Sequence, residues 1–158
     1  MFLKIGTARQ GPIKGEAQDG EHKDEIDVIK WSWGMSARSA LSSAGASSKA
    51  TLQELVIVKA VDSASTALMS AMRNNDLIKQ AVLTVRKAGE TAQEYLKVTI
   101  EKGRVTSLDV NAIDFESKGY ITETLTFSFQ RINVEYVPQG SDGQRRGGMQ
   151  FNAEIEAG

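Results

Sequence analysis

The sequence predicts a mainly β protein with a single helix. Most large apolar residues fall in runs of strand length that are rich in β-branched and aromatic side chains. Glycine, asparagine and serine stand between several of these runs, as they do in turns. Only one stretch stands out as repeating its apolar residues at helical spacing. Together these three observations predict the fold class.

The strands are expected in a fixed order along the chain. The stretch "AGETAQ" predicts a hairpin whose turn is supplied by Gly89, and Gly103 predicts a second tight reversal. In the run 121–136 the apolar side changes after Phe129, which predicts a bulge or a bend. The predicted strands are 2–5, 26–33, 55–61, 81–87, 94–102, 105–110, 121–136 and 149–155.

The helix is predicted from an apolar stripe of mostly small residues, which would let it pack closely on a sheet. Asp62, Ser63 or Ser65 can cap its start. Asn74 and Asn75 can end it, because asparagine tolerates the left-handed conformation. The stripe consists of Ala64, Ala67, Leu68, Ala71 and Met72.

Composition excludes several classes of function. The net charge of -1 argues against a surface that binds nucleic acid or anionic lipid, and the arginine pair Arg145–Arg146 is best interpreted as part of a solvated loop.

The chain has no cysteine, so a disulfide, a thiolate zinc site and a cysteine nucleophile are excluded. The start "MFLKIGTARQG" has neither a Sec signal nor a membrane anchor, so we expect any export to use another route.

The single histidine, His22, lies in an acidic segment. If that segment is extended, His22 and Asp24 share one face, while Glu25 and Asp27 share the other. The acidic residues are then split between two faces, and no second histidine completes a site. We therefore expect no metal site and no catalytic histidine. The acidic side chains are expected to keep an exposed strand end from pairing with another chain or to make subunit contacts.

No motif for catalysis or cofactor binding is present in the sequence, so we expect a protein that is not an enzyme and has no cofactor. Carboxylate pairs for glycoside cleavage depend on spatial separation, which the sequence does not give. Trp31 and Trp33 point to the same face. They are expected to pack, with a sugar-stacking platform on a carbohydrate-binding β-sandwich as the alternative.

The chain is predicted to be one domain, 1–158, since no repeat or linker divides it. Residues 34–54 form a long serine- and alanine-rich loop, a feature that is usually functional or mobile. Residues 139–148 are predicted as a flexible loop before the last strand.

Four segments resemble one family in order along nearly the whole chain. "IKGEAQDGEHKDEIDVIKWSWG" resembles the N-terminal signature of the haemolysin-coregulated protein (Hcp) family, the tube protein of type VI secretion. "VIVKAVDSASTALMSAMRNN", "AVLTVRKAGETAQEYLKVTIEKGRVTSLDV" and "ETLTFSFQRINVEYVPQ" resemble its later motifs. Glu90 departs from the pattern, because many relatives have glycine there, and the tail from Ser141 matches nothing specific.

The resemblance implies a β-barrel of two antiparallel sheets with one flanking helix, similar to phage tail-tube proteins. It implies six-subunit rings that stack into a hollow tube, which a contractile sheath expels with a VgrG-like spike protein and effector proteins. Assembly would take place in the cytoplasm, before secretion to the extracellular space or a target cell. The alternative within the same fold is a phage-type tail-tube protein without a secretion role, which genomic neighbours would distinguish.

The resemblance also suggests two functional surfaces. In relatives an extended loop at 34–54 reaches a neighbouring ring, so Met35, Leu41, Lys49 and Leu52 are assigned to ring stacking. In the family a sheet lines the channel and effectors bind there. The hydroxyl face of the long strand is the candidate channel wall, with Thr84 and Thr99 as weaker candidates; that face consists of Thr122, Thr124, Thr126 and Ser128.

Overall fold

The computed structural model describes residues 1–37, 50–87, 93–112, 121–138 and 147–155. Within these ranges the chain forms twelve strands and one helix. Of these elements, the short strands β2, β5 and β6 have no counterpart in the sequence prediction. The elements are β1 (Phe2–Thr7), β2 (Gly11–Ile13), β3 (Ile26–Asp27), β4 (Lys30–Ser32), β5 (Met35–Ser36), β6 (Thr51–Leu52), β7 (Leu55–Ala60), α1 (Ser65–Arg73), β8 (Ile78–Arg86), β9 (Glu94–Ala112), β10 (Ile121–Ser128), β11 (Arg131–Tyr136) and β12 (Met149–Glu154).

Two antiparallel sheets form the body of the protein. The first sheet has β1 next to β8, then the first half of β9, then β11 and β12, with β2 and β3 both on the outer edge of β1. The second sheet has the order β4, β7, β10 and the second half of β9. Core-facing side chains from both sheets belong to one apolar cluster that also includes Leu68 of the helix.

The mainly β class with two antiparallel sheets and one helix is confirmed. Among the described residues, the hydrogen-bonded ladder stays open and does not close on itself. The paired strands β8 and β9 confirm the arms of the predicted hairpin, while its turn residue Gly89 lies outside the described residues. No helix in the described part of the chain is long and apolar enough to cross a membrane.

The reversal predicted at Gly103 is wrong, because β9 runs through this position as one strand of 19 residues. Its first half pairs with β8 and β11, and its second half pairs with β10. A Cβ on Gly103 would lie 2.1 Å from the carbonyl oxygen of Ser128, so the glycine permits a close approach of backbones. Lys102 beside it has a φ of 54°, where the strand passes from one sheet to the other.

The single strand predicted over 26–33 is also wrong, since β3 and β4 belong to different sheets. β3 pairs with β1, whereas β4 pairs with β7. Val28 donates a backbone hydrogen bond to Met1, and Ile29 donates one to Val58, so the chain changes sheets between these two residues. Alternation in the sequence does not reveal this change of partner.

The bend predicted within 121–136 is confirmed. β10 and β11 pair in succession along the two halves of β9, and Phe129 and Gln130 separate them. Glu123, Leu125 and Phe127 share the buried side of β10, whereas Ile121 is 47% exposed, because it lies at the end of the strand.

The helix matches its prediction at the C-terminal end more closely than at the N-terminal end. Asn75 adopts a φ of 52°, the left-handed conformation expected there. Ala64 is the N-cap and makes no side-chain cap, although its N–H donates to the Asp62 carboxylate. Leu68 and Ala71 are buried, whereas Met72 is exposed and does not reach the core.

Candidate functional site

The four hydroxyl residues assigned to the channel wall lie on one face of β10. Residues of β10 alternate between buried side chains and half-exposed ones, and the half-exposed set is Thr122, Thr124, Thr126 and Ser128. The buried set includes Leu125 and Phe127, so the hydroxyl face points away from the core. We call this surface the threonine face.

Strand register extends the threonine face across the second sheet. Thr124 lies opposite Val58 and Asp109, and Val58 in turn lies opposite Lys30. The next row places Thr126 opposite Val56 and Ser107, with Ser32 beyond Val56. Directly opposed residues share a face of the sheet. The threonine face therefore combines hydroxyls, half-exposed valines, the positive charge of Lys30 and the negative charge of Asp109.

The weaker candidates, Thr84 and Thr99, lie elsewhere. Both belong to the first sheet, where Thr84 is opposite Lys97 and Thr99 is opposite Val82. Thr84 is buried, with only 3% of its surface exposed. Neither residue therefore contributes to the threonine face.

The segment assigned to stacking begins and ends as a two-stranded ribbon. Met35 pairs with Leu52 across β5 and β6, and Met35 is 49% exposed. Leu52 packs against the protein's own core, so it does not project freely toward a partner. Leu41 and Lys49 lie outside the described residues.

His22 is almost buried and takes part in a compact cluster. Its Nδ1 lies 2.9 Å from a carboxylate oxygen of Glu25, and its Nε2 bonds the carboxylate of Glu94. Its ring stacks on Phe2 with 4.6 Å between centroids. The extended arrangement predicted for His22 and Asp24 is wrong, because the chain turns here and Asp24 has a φ of 65°.

The electrostatics of this cluster favour charged side chains. Burial lowers the pKa of His22, but the hydrogen bonds to Glu94 and Glu25 outweigh burial and raise that pKa above its ordinary value. Nearby, the Arg86 guanidinium hydrogen-bonds Asp19 and holds the pKa of that carboxyl below its ordinary value. Arg86 also lies over the Phe2 ring, 4.8 Å from its centroid.

One group in the described residues has the composition of a metal site. Ligand atoms of Glu21, His22 and Glu94 all lie within 4.8 Å of one another. Both ring nitrogens of His22 are already engaged by carboxylates, those of Glu25 and Glu94. A metal ion would have to displace one of these hydrogen bonds, so the geometry favours a structural ion cluster.

A second ion cluster is centred on Lys59 and Glu123, whose side chains are both fully buried. The Lys59 Nζ lies 2.7 Å from Glu123 and 2.8 Å from Asp62, and it donates to the Ser65 hydroxyl at 3.2 Å. Lys59 and Glu123 also pair directly across β7 and β10. The spacing K-x-x-D-x-x-S in the sequence is the signal for three of these residues.

The two tryptophans do not form a sugar-stacking platform. Trp31 and Trp33 are half-buried and pack against the core, as the packing prediction expects. The Trp33 ring lies 6.4 Å from that of Phe151 at an angle of 43°. An exposed and coplanar pair would be needed for stacking on a sugar, so this alternative lacks its site.

A family model described as "Type VI secretion system effector, Hcp" matches residues 2–136. Protein hcp1 of Pseudomonas aeruginosa is 38% identical over 151 residues, covering 94% of this chain and 89% of that protein.

Solved structures are similar over nearly the whole chain. A type VI secretion system effector from Yersinia pestis is 26% identical with a TM-score of 0.75, covering 98% of both chains. Hcp1 from Salmonella typhimurium is 28% identical with a TM-score of 0.74, covering 98% of this chain and 94% of its own.

Proposed function

Because the chain belongs to the Hcp family of type VI secretion, we propose that it is the tube component of that system. Six copies form a ring, and rings stack into a hollow tube that a contractile sheath expels together with a VgrG-like spike protein. The role is structural, with no catalytic step. The tube assembles in the cytoplasm and is then delivered outside the cell or into a target cell.

Two exposed apolar surfaces support assembly into rings. The first, here called the β12 patch, consists of Tyr136, Met149 and Phe151, which are 44%, 65% and 41% exposed. The second, here called the helix groove, has a volume of about 430 Å³ and is lined by Met69, Met72, Arg73 and Leu108. Exposed apolar patches of this kind mark interaction surfaces, and methionines adapt to aromatic side chains.

The positions of these two surfaces suit a head-to-tail contact. Phe151 lies against Trp33, which follows β4, while the helix groove includes Leu108 of β9. β4 and β9 are the two edges of the second sheet, separated by three strand spacings or about 14 Å. Two different patches at opposite edges are what a heterologous interface needs to close a ring.

The threonine face is proposed as the channel wall. A wall that holds effectors needs polar groups among modest apolar ones, and hydroxyls beside Val56 and Val58 provide that mixture. The segment between β5 and β6 is proposed to contact the next ring, since both of its ends are anchored in one short ribbon.

The observation that carries the proposal is the pair of apolar surfaces at opposite edges. We expect wild-type protein to give a particle of about six subunit masses by light scattering and a ring in negative-stain micrographs. Met72→Glu should dissociate the ring, because it places a charge in the helix groove. Ser70→Glu is the matched control, since residues two apart lie on different sides of a helix. A purely monomeric wild-type protein at micromolar concentration would contradict the proposal.

A further inference from the structure

A cavity of about 500 Å³ opens on the outer face of the first sheet. Its floor is formed by neighbouring strands β1 and β8, through Gly6 and Val82, and Pro12 of β2 forms one wall. His22 and Glu25 close the end near the N-terminal turn. A Cβ on Gly6 would meet no atom within 4 Å, so the missing side chain accounts for part of the open space.

Three lysines surround this cavity: Lys4 on β1, Lys79 on β8 and Lys97 on β9. All three are exposed, and none forms an ion pair with another residue in the described part of the chain. Lys4 and Lys97 lie on either side of β8, two strands apart and offset by two residues along the strands, which separates their backbones by about 12 Å. The one carboxylate that lines the cavity, Glu25, is already paired with His22.

The chemistry of this site favours carboxylates over phosphates. The fork of arginine recognises phosphate and carboxylate alike, so the absence of arginine from the lining does not choose between them. The three lysines present separate point charges on three strands, which suits carboxylates distributed along a peptide better than one compact phosphate. Nucleic acid requires an extended positive field, but Glu21 and Asp24 flank the turn beside His22. The apolar part of the floor, Val82 beside the open position over Gly6, suits one apolar side chain between carboxylates.

We propose that this cavity binds an acidic peptide segment of a partner protein, with carboxylates held by Lys4, Lys79 and Lys97 and an apolar side chain seated over Gly6. The cavity lies on the outer face of the first sheet, whereas the threonine face is the outer face of the second. If the threonine face lines the channel, as the proposed function holds, the peptide binds on a different side of the subunit from the effectors.

The test is titration calorimetry of the assembled protein with a blocked peptide that has two aspartates on each side of one leucine. The same peptide with asparagines in place of aspartates, and inorganic phosphate, serve as comparison ligands. We expect the aspartate peptide to bind and the asparagine peptide not to bind. Affinity for the aspartate peptide should fall with ionic strength, because exposed ion pairs are screened by salt.

Two variants probe the charge and the shape of the site separately. Lys4→Glu with Lys97→Glu should weaken peptide binding about tenfold or more. Gly6→Leu should also weaken it, because it fills the cavity without meeting another atom at Cβ. Lys87→Glu with Lys102→Glu is the matched control, since it changes the net charge equally and both residues are exposed outside the cavity. Circular dichroism and particle mass verify that each variant is folded.

Equal affinity for the two peptides, an equal loss in the control pair, or phosphate binding without peptide binding would overturn the inference. The cavity lies within one subunit. Peptide binding by a protein that forms no ring would therefore support the inference while contradicting the proposed tube.

Discussion

At the scale of single residues, Lys59 is a charged side chain with no exposure to solvent. Its ammonium group is held by the carboxylates of Glu123 and Asp62 and by the Ser65 hydroxyl. These partners come from β10 and from the start of the helix, so the cluster ties the helix to the second sheet. A buried pair of this kind depends on both partners, because an unpaired buried charge is costly.

Lys59→Met should therefore lower the free energy of unfolding by about 3–5 kcal/mol, since it leaves Glu123 buried without its cation. The double variant Lys59→Met with Glu123→Leu should recover most of that loss, because it removes both charges. Chemical denaturation at one protein concentration measures both values. If the double variant is no more stable than the single one, the unpaired carboxylate is not the cause.

His22 should make stability depend on pH in one direction. Its pKa is raised in the folded state, because the hydrogen bonds to Glu94 and Glu25 outweigh burial. The protonated form is thus favoured by folding, and its contribution is complete below the unfolded pKa and lost as pH rises through the folded pKa.

We expect His22→Phe, which keeps a ring against Phe2, to lower the free energy of unfolding at pH about 5.5 by about 1–2 kcal/mol and to lower it less at pH about 8.5. Denaturation of both proteins at the two pH values measures the difference. A loss that is equal at both values would show that the charge on His22 does not contribute. Ring assembly by His22→Phe should persist.

At the scale of elements, Gly103 allows β9 to continue past Ser128 as one strand, because it has no Cβ. The backbone of β9 passes so close to Ser128 that a Cβ at this position meets the carbonyl oxygen. Gly6 is the contrasting case, because it too lies in a strand but has open space around its Cβ position.

Gly103→Ala should destabilise the protein by about 2 kcal/mol or more, because backbone must move to admit the methyl group. Gly6→Ala should be neutral or slightly stabilising, since it reduces the entropy of the unfolded chain without strain. Thermal unfolding of the two variants beside wild type provides the measurement. Equal melting temperatures for both alanine variants would contradict the steric account.

The sequence predicts correctly those elements whose pattern lies in neighbouring residues. It fails where residues distant along the chain determine how a strand pairs or which side chain a residue contacts. Short apolar runs located β1 and β7, the turn residues of a hairpin located β8, alternation located β12, and helical spacing located α1. A glycine in an apolar run has the same appearance whether it begins a turn or admits a neighbouring backbone, so β9 was divided. Likewise, Glu94 bonds His22 from 72 positions away, and nothing near His22 in the sequence indicates it.

At the scale of the whole molecule, the two sheets present two different outer faces. The threonine face belongs to the second sheet, and the lysine-lined cavity belongs to the first. Since the sheets pack through their inner faces, a substitution on one outer face should leave the function of the other intact. This separation allows the proposed channel wall to be tested with a matched change.

Thr124→Arg should leave the ring mass unchanged but reduce the amount of cognate effector that co-purifies, since six arginines would obstruct one channel. Thr99→Arg makes the same chemical change on the outer face of the first sheet and should not reduce effector recovery. Pull-down of effector with each ring, after its mass has been verified, gives the comparison. Undiminished recovery with the Thr124 variant would show that the threonine face does not line the channel.

The unbroken course of β9 has a mechanical consequence. One strand of 19 residues belongs to both sheets, so tension applied to either sheet reaches the other along covalent peptide bonds. The ladders that join β9 to β8, β10 and β11 run parallel to that tension, and their hydrogen bonds therefore carry load together in shear. A force that pulls the two sheets apart is therefore resisted by this strand and its ladders as well as by the packing between the sheets.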